Sequence, residues 1–197
     1  MARVRGQVDE AKTEAILEAA SALFGEKGAL ASMEQIARRA GVSRQTLYNR
    51  FLNKLEIGRA LAARRSDAIS APLRAGGDPE TVLTALAVGL LDKLCRAEAG
   101  ASLRGVALMS PEMPDLADAI YQAGPAEGLR RLSAWLAEQD RSGLLSVPDP
   151  DAAAEMFSGM VLGHGHLRGV LGVAQPPFDL QARAAEAARR FLRAFAR

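Results

Sequence analysis

Cysteine is almost missing from this chain. Cys95 is the one thiol in 197 residues, so no internal disulfide can form and the sequence fits a reducing cytosol. With only Lys93 and Arg96 as basic neighbours, Cys95 reads as a small core residue before a reactive thiol. Histidine is nearly as scarce, limited to His164 and His166. That pair invites a metal reading, but residues two apart on a helix point roughly 200° away from each other. No Cys or clustered carboxylate completes such a site, so no metal and no cofactor are expected. A Gly-rich phosphate loop, a Ser/His/Asp set and a paired-carboxylate site are also missing, which leaves no catalytic residues to name. No run of about 18 apolar residues occurs, so no membrane span is expected. Basic residues near Met1 are not followed by an apolar stretch, so no secretory signal is expected and the location is read as cytoplasmic.

Aromatic residues make up only 5% of the chain. Ala, Leu, Arg and Glu are abundant instead, which favours helix over sheet. Apolar residues near half the total suffice for a sizeable core. The net charge of +2 hides an uneven distribution. Residues 1–65 hold 12 Lys/Arg against 7 Asp/Glu, and the remainder is acidic by 16 to 13. The basic excess therefore lies where a phosphate backbone could be bound.

Almost every segment has helical period. Ala15, Ile16, Ala19, Ala20, Leu23 and Phe24 recur in pairs four apart and paint one apolar stripe, which Gly28 ends. Ser32-Met33-Glu34-Gln35 is a capping box that opens a short helix ending at Gly41. Ser43 caps the next, through about Asn49 or Arg50, and Asn53-Lys54-Leu55-Glu56 opens a longer one towards Leu73. Further helices are predicted over 79–98, 101–110, 114–123, 125–141, 151–172 and 180–195, each set off by Gly or Pro. No alternating strand is visible, and the chain reads as all-α. Its expected organisation is a flexible basic arm over 1–9, a three-helix head over 10–70 and a helical domain over 71–197.

The stretch from Ser32 to Glu56 is the informative one. Two short helices joined through Ala40-Gly41-Val42-Ser43 have the spacing of a helix-turn-helix. With Ile36, Ala37, Ala40, Val42, Leu47 and Phe51 inward, Arg44, Gln45, Thr46, Tyr48 and Asn49 are left outward. Such a face suits the major groove of duplex DNA. Arg44 can pair with guanine, Gln45 or Asn49 with adenine, and Thr46 and Tyr48 can reach phosphate. Lys54, in the first turn of the next helix, sits where an anion is favoured. Two other readings remain: an enzyme, for which no residues speak, and a helical adaptor acting through protein contacts.

The residues Phe24-Gly25-Glu26-Lys27-Gly28, Ser32 through Ser43, Thr46-Leu47-Tyr48-Asn49-Arg50-Phe51 and Lys54 resemble the N-terminal domain of TetR-family (tetracycline-repressor-like) regulators. More faintly, Met109 to Pro114 and Gly124-Pro125-Ala126 resemble one C-terminal subgroup of that family. The resemblance implies a homodimer, a helical C-terminal domain that binds an effector, and usually repression. It places a recognition helix on Ser43 to Asn49 and phosphate contacts on Tyr48 and Lys54. Arg44-Gln45 follows the capping Ser where many members have a small residue or Lys, so the operator cannot be borrowed.

The C-terminal part says less. A largely apolar effector would be lined by Met109, Met113, Tyr121, Trp135, Phe157 or His164. The many glycines of 151–172, among them Gly159, Gly163 and Gly169, suggest close helix approach across a dimer interface shared with Phe191 of the last helix. Alternatively, that segment is a broken helix or loop.

Overall fold

The computed structural model describes residues 5–95, 103–107 and 113–197, and all of its regular elements are helical. α1 (Arg5–Lys27) begins inside the stretch expected to be a flexible arm. It stops where Gly28 takes φ +54°, a value costly for any residue with a Cβ. α2 (Met33–Arg39) opens with the expected reciprocal cap: the Gln35 amide donates to Ser32 Oγ at 3.2 Å, and the Ser32 amide donates to Gln35 Oε1 at 3.2 Å. Gly41 turns the chain at φ +65° into α3 (Arg44–Tyr48). α4 (Lys54–Ala75) follows, capped by Asn53.

One cluster of buried residues joins these four helices, with Ile16 and Ala20 of α1, Ile36 of α2, Leu47 of α3 and Ile57 of α4 at its centre. Burying each large member is worth about 1.5–3 kcal/mol. A second cluster lies in the remaining helices. These are α5 (Pro79–Leu94), α6 (Pro114–Tyr121), α7 (Glu127–Arg141), α8 (Pro150–Leu171) and α9 (Leu180–Ala194). Leu83, Leu91, Leu136, Phe157, Val161 and Phe191 fill its centre. Cys95 belongs to it as a small buried residue, and burial pushes its thiol pKa up.

α4 serves both clusters. Ile57, Ala60 and Leu61 pack in the head, whereas Ile69 and Leu73 pack in the body. The boundary expected at residue 70 thus falls inside a continuous helix. Along α4, Gly58, Ala62 and Ser66 form a row of small side chains at four-residue spacing. Opposite them lie Ile120, Gly124 and Gly128. A Cβ on Gly58 would come within 3.2 Å of Ile120, and one on Gly124 within 3.3 Å of Ala62. One turn further, Arg131 donates to Ser70 Oγ at 2.8 Å and to Asp67 Oδ1 at 2.9 Å.

Two expected breaks differ in kind from what is found. Gly124-Pro125 does not end a helix: α6 passes into α7 through a widened π-helical turn at Gln122–Ala126. Pro125 has no N–H to give, and the wider turn accommodates it. Conversely, α8 is interrupted at Gly163, whose φ of 46° and ψ of −142° are not helical. Arg183 of α9 donates to the carbonyls of Val161 at 3.0 Å and Leu162 at 3.4 Å, meeting two acceptors beside the interruption. Of the helix expected over 101–110, residues 103–107 are helical and the others lie outside the described residues. Among the described residues no helix is long and apolar enough to cross a membrane.

Candidate nucleic-acid interface

α3 is only five residues long, so its orientation depends on what holds its ends and its one buried side chain. Leu47 is fully buried against α1 and α2. Ser43 Oγ accepts from the Thr46 amide at 3.0 Å and pairs with Thr46 Oγ1 at 2.8 Å. At the other end the Asn49 and Phe51 amides donate to Gln45 and Leu47 carbonyls at 2.9 Å. The Val42 amide donates to the Ala37 carbonyl at 3.0 Å, which locks the turn onto α2. These bonds leave α3 little freedom to rotate.

With Leu47 inward, Ser43, Arg44, Gln45, Tyr48 and Asn49 are exposed together, and Tyr48 keeps 44% of its surface. Arg44 reaches Glu34 at 3.5 Å through a pair open to water on both sides. Thr46 is half-buried, its hydroxyl turned to Ser43. Lys54 is half-buried in the first turn of α4, where Asn53 Oδ1 accepts from the Glu56 amide at 3.0 Å. Glu56 in turn accepts from the Leu52 amide at 2.6 Å. The chain entering α4 is thereby fixed relative to α3. An Arg39–Glu26 pair at 2.7 Å ties α2 to α1, so the head presents α3 from a braced support. A short, rigid, outward-facing helix with guanidinium, carboxamide and phenol groups is chemically able to read base edges and hold phosphates.

Comparison with known proteins gives this arrangement its context. Residues 16–61 match the family model of bacterial regulatory proteins of the tetR family. Residues 81–197 match the model of the AefR-like transcriptional repressor C-terminal domain. The chain belongs to the TetR family. TetR-family regulators are DNA-binding transcriptional repressors, and this chain has their helix-turn-helix.

A TetR-family regulator from Mesorhizobium loti is 25% identical, with 99% of this chain and 100% of that one aligned at a TM-score of 0.80. The flavonoid-responsive regulator FrrA is 31% identical over 94% of this chain and 97% of its own, at a TM-score of 0.67. SmeT, solved as a complex with triclosan, is 26% identical over 95% of this chain and 92% of its own, at 0.66. No curated protein sequence is similar enough to count as a match.

The residues expected to line an effector pocket are not brought together. Met113 and Tyr121 are exposed, and so is His164. Trp135 is half-buried at the edge of the body core, and Phe157 is wholly inside it. Met109 lies outside the described residues. A cavity lies elsewhere, between head and body, and Arg65 and Ile120 are among its walls. None of the described residues singled out in the sequence for an effector lines it. Small residues of α4 and a lone arginine on an apolar face are too common a pattern to have pointed there.

The expected interface residues also separate. Gly159 and Gly163 are exposed. Gly169 is buried within its own protomer. Phe191 is 1% exposed within the protomer, edge-on to Phe157 at 5.1 Å and tilted against Phe195 at 4.7 Å, so its ring belongs to the body core. His164 and His166 sit beyond the Gly163 interruption, and among the described residues no group of three metal-ligating side chains occurs.

Proposed function

We propose that this TetR-family repressor acts as a homodimer on an inverted-repeat operator in the cytoplasm and is released by a small, largely apolar effector. One observation carries the DNA reading: α3 buries Leu47 alone and turns Arg44, Gln45, Tyr48 and Asn49 to solvent on a braced head. Arg44 and Gln45 read base edges. Ser43, Thr46, Tyr48 and Lys54 hold the backbone. A residue-10 to residue-70 head and a residue-71 to residue-197 body are the working parts, with α4 as their shared shaft.

The dimer reading draws on the outer face of α8, where Met156, Met160, Leu167 and Leu171 are all exposed. Such a row is costly in water and suits a second copy related by two-fold symmetry. Gly159 is exposed as well, with open space where a side chain would stand. FrrA responds to flavonoids by its name and SmeT is bound to triclosan, which supports an effector of modest size here.

Selection of bound sequences from random duplex DNA tests the central claim. Enrichment of a palindrome whose half-sites are about one helical turn apart or slightly more is the expected result, with binding that weakens steeply as salt rises. If no sequence is enriched and the protein ignores duplex even in dilute buffer, the adaptor reading replaces this one.

A further inference from the structure

The seam between head and body is not fully closed. A cavity of about 90 Å³ lies there, walled by Ser21 and Phe24 of α1, Leu61 and Arg65 of α4, and Leu116 and Ile120 of α6. That is room for about three water volumes. The wall is mostly apolar, with Ser21, Lys54 and Arg65 as its polar members. Arg65 is half-buried, and desolvation pulls its pKa down. Two other arginines of these helices are paired, Arg64 with Glu14 and Arg131 with Asp67 and Glu127. Among the described residues nothing accepts a hydrogen bond from Arg65.

A partly desolvated cation with no counter-charge among the described residues is unfavourable in an apo protein. An anion that also carries apolar surface removes that cost and fills the space. A planar guanidinium matches a carboxylate with two parallel hydrogen bonds. A small apolar chamber excludes strongly hydrated, multiply charged ions. We propose that this seam binds a short-chain monocarboxylate, with its carboxylate on Arg65 and its alkyl tail against Leu61, Leu116 and Ile120. The proposal deepens the effector reading above and rests on it. An occupant touches α1, α4 and α6 together and so sets the angle of the head on its shaft. Lys54 lines the same cavity, so the negative charge also draws on a side chain assigned to operator phosphate. Both effects favour release of DNA.

Calorimetric titration of the full-length protein with sodium butyrate, butyramide and sodium phosphate tests this. Butyrate should bind saturably, and butyramide and phosphate at least tenfold more weakly. Arg65→Gln should weaken butyrate at least tenfold. Ser21→Phe, which adds a ring to the wall and leaves Arg65 intact, should abolish binding. Without ligand, Arg65→Met should melt no lower than wild type, since it deletes a charge with no partner among the described residues, and butyrate should raise the melting temperature of wild type alone. Equal binding of butyrate and butyramide, unchanged binding in Arg65→Gln, phosphate in preference to butyrate, or no heat with any straight-chain acid of four to eight carbons overturns the site. A different molecule that releases selected DNA from wild type and Arg65→Gln alike leaves the effector reading standing and removes this site. If no small molecule releases DNA, the effector reading falls whether or not butyrate binds.

Discussion

A single arginine illustrates how little of the interface energy is spent before DNA arrives. Arg44 meets Glu34 at 3.5 Å with both side chains more than 60% exposed, and such a pair is worth about 0–1 kcal/mol at most. Leaving it for guanine therefore costs little. Arg44→Ala should fold normally and flatten discrimination at one base position of the selected sequence by about 1–3 kcal/mol. Lys54→Ala should instead weaken all sequences alike and lower the salt slope by about one. Competition binding against single-base variants separates the two, and an even loss in both variants would deny Arg44 its reading role. The outward set was legible because a five-residue helix with one apolar side chain has no other way to sit. Arg65 was not legible. Its significance lies in having no counter-charge among the described residues, and sequence spacing does not show which carboxylates reach it.

At the scale of elements, the capped helix starts were readable in the residues themselves: Ser32, Ser43, Asn53, Asp78 and Asp149 each accept from a backbone amide in the first turn. The interruptions were not, because Gly124-Pro125 and Gly163 have several backbone solutions and tertiary packing picks among them. Contact between α4 and α7 was also hidden, since Asp67 and Arg131 lie far apart in the chain. Glu127 braces Arg131 for that contact, and its charge depends on pH. Bonds from Arg130 and then Arg131 hold the Glu127 carboxyl down to a pKa of about 2 from 4.5. A depressed carboxylate pKa stabilises the fold above the unfolded value near 4.5, and that stabilisation is lost as pH falls through about 2. Glu127→Gln should thus melt below wild type at neutral pH, and the gap should shrink between pH 4.5 and pH 2. A gap that stays constant over that range in thermal melts would show that Glu127 does not stabilise this contact as an anion.

For the molecule as a whole, the question is whether two heads are needed. One α3 offers few base contacts, so a lone protomer should bind DNA weakly. The exposed row of Met156, Met160, Leu167 and Leu171 on α8 offers the means of pairing, while α9 turns its own apolar side, with Phe191, into the protomer core. The interface should therefore centre on α8. Met160→Glu combined with Leu167→Glu places charge on both sides of the Gly163 interruption without touching either core. Light scattering should show a dimer for wild type and a monomer for the double variant, with helical content unchanged. Affinity for the palindrome should fall by about 10²–10⁴, the gain that linking two half-site readers provides, while affinity for a single half-site stays near wild type. A double variant that remains dimeric would move the interface off α8. One that becomes monomeric yet keeps full palindrome affinity would show that each head works alone, and the two-fold operator would lose its physical basis.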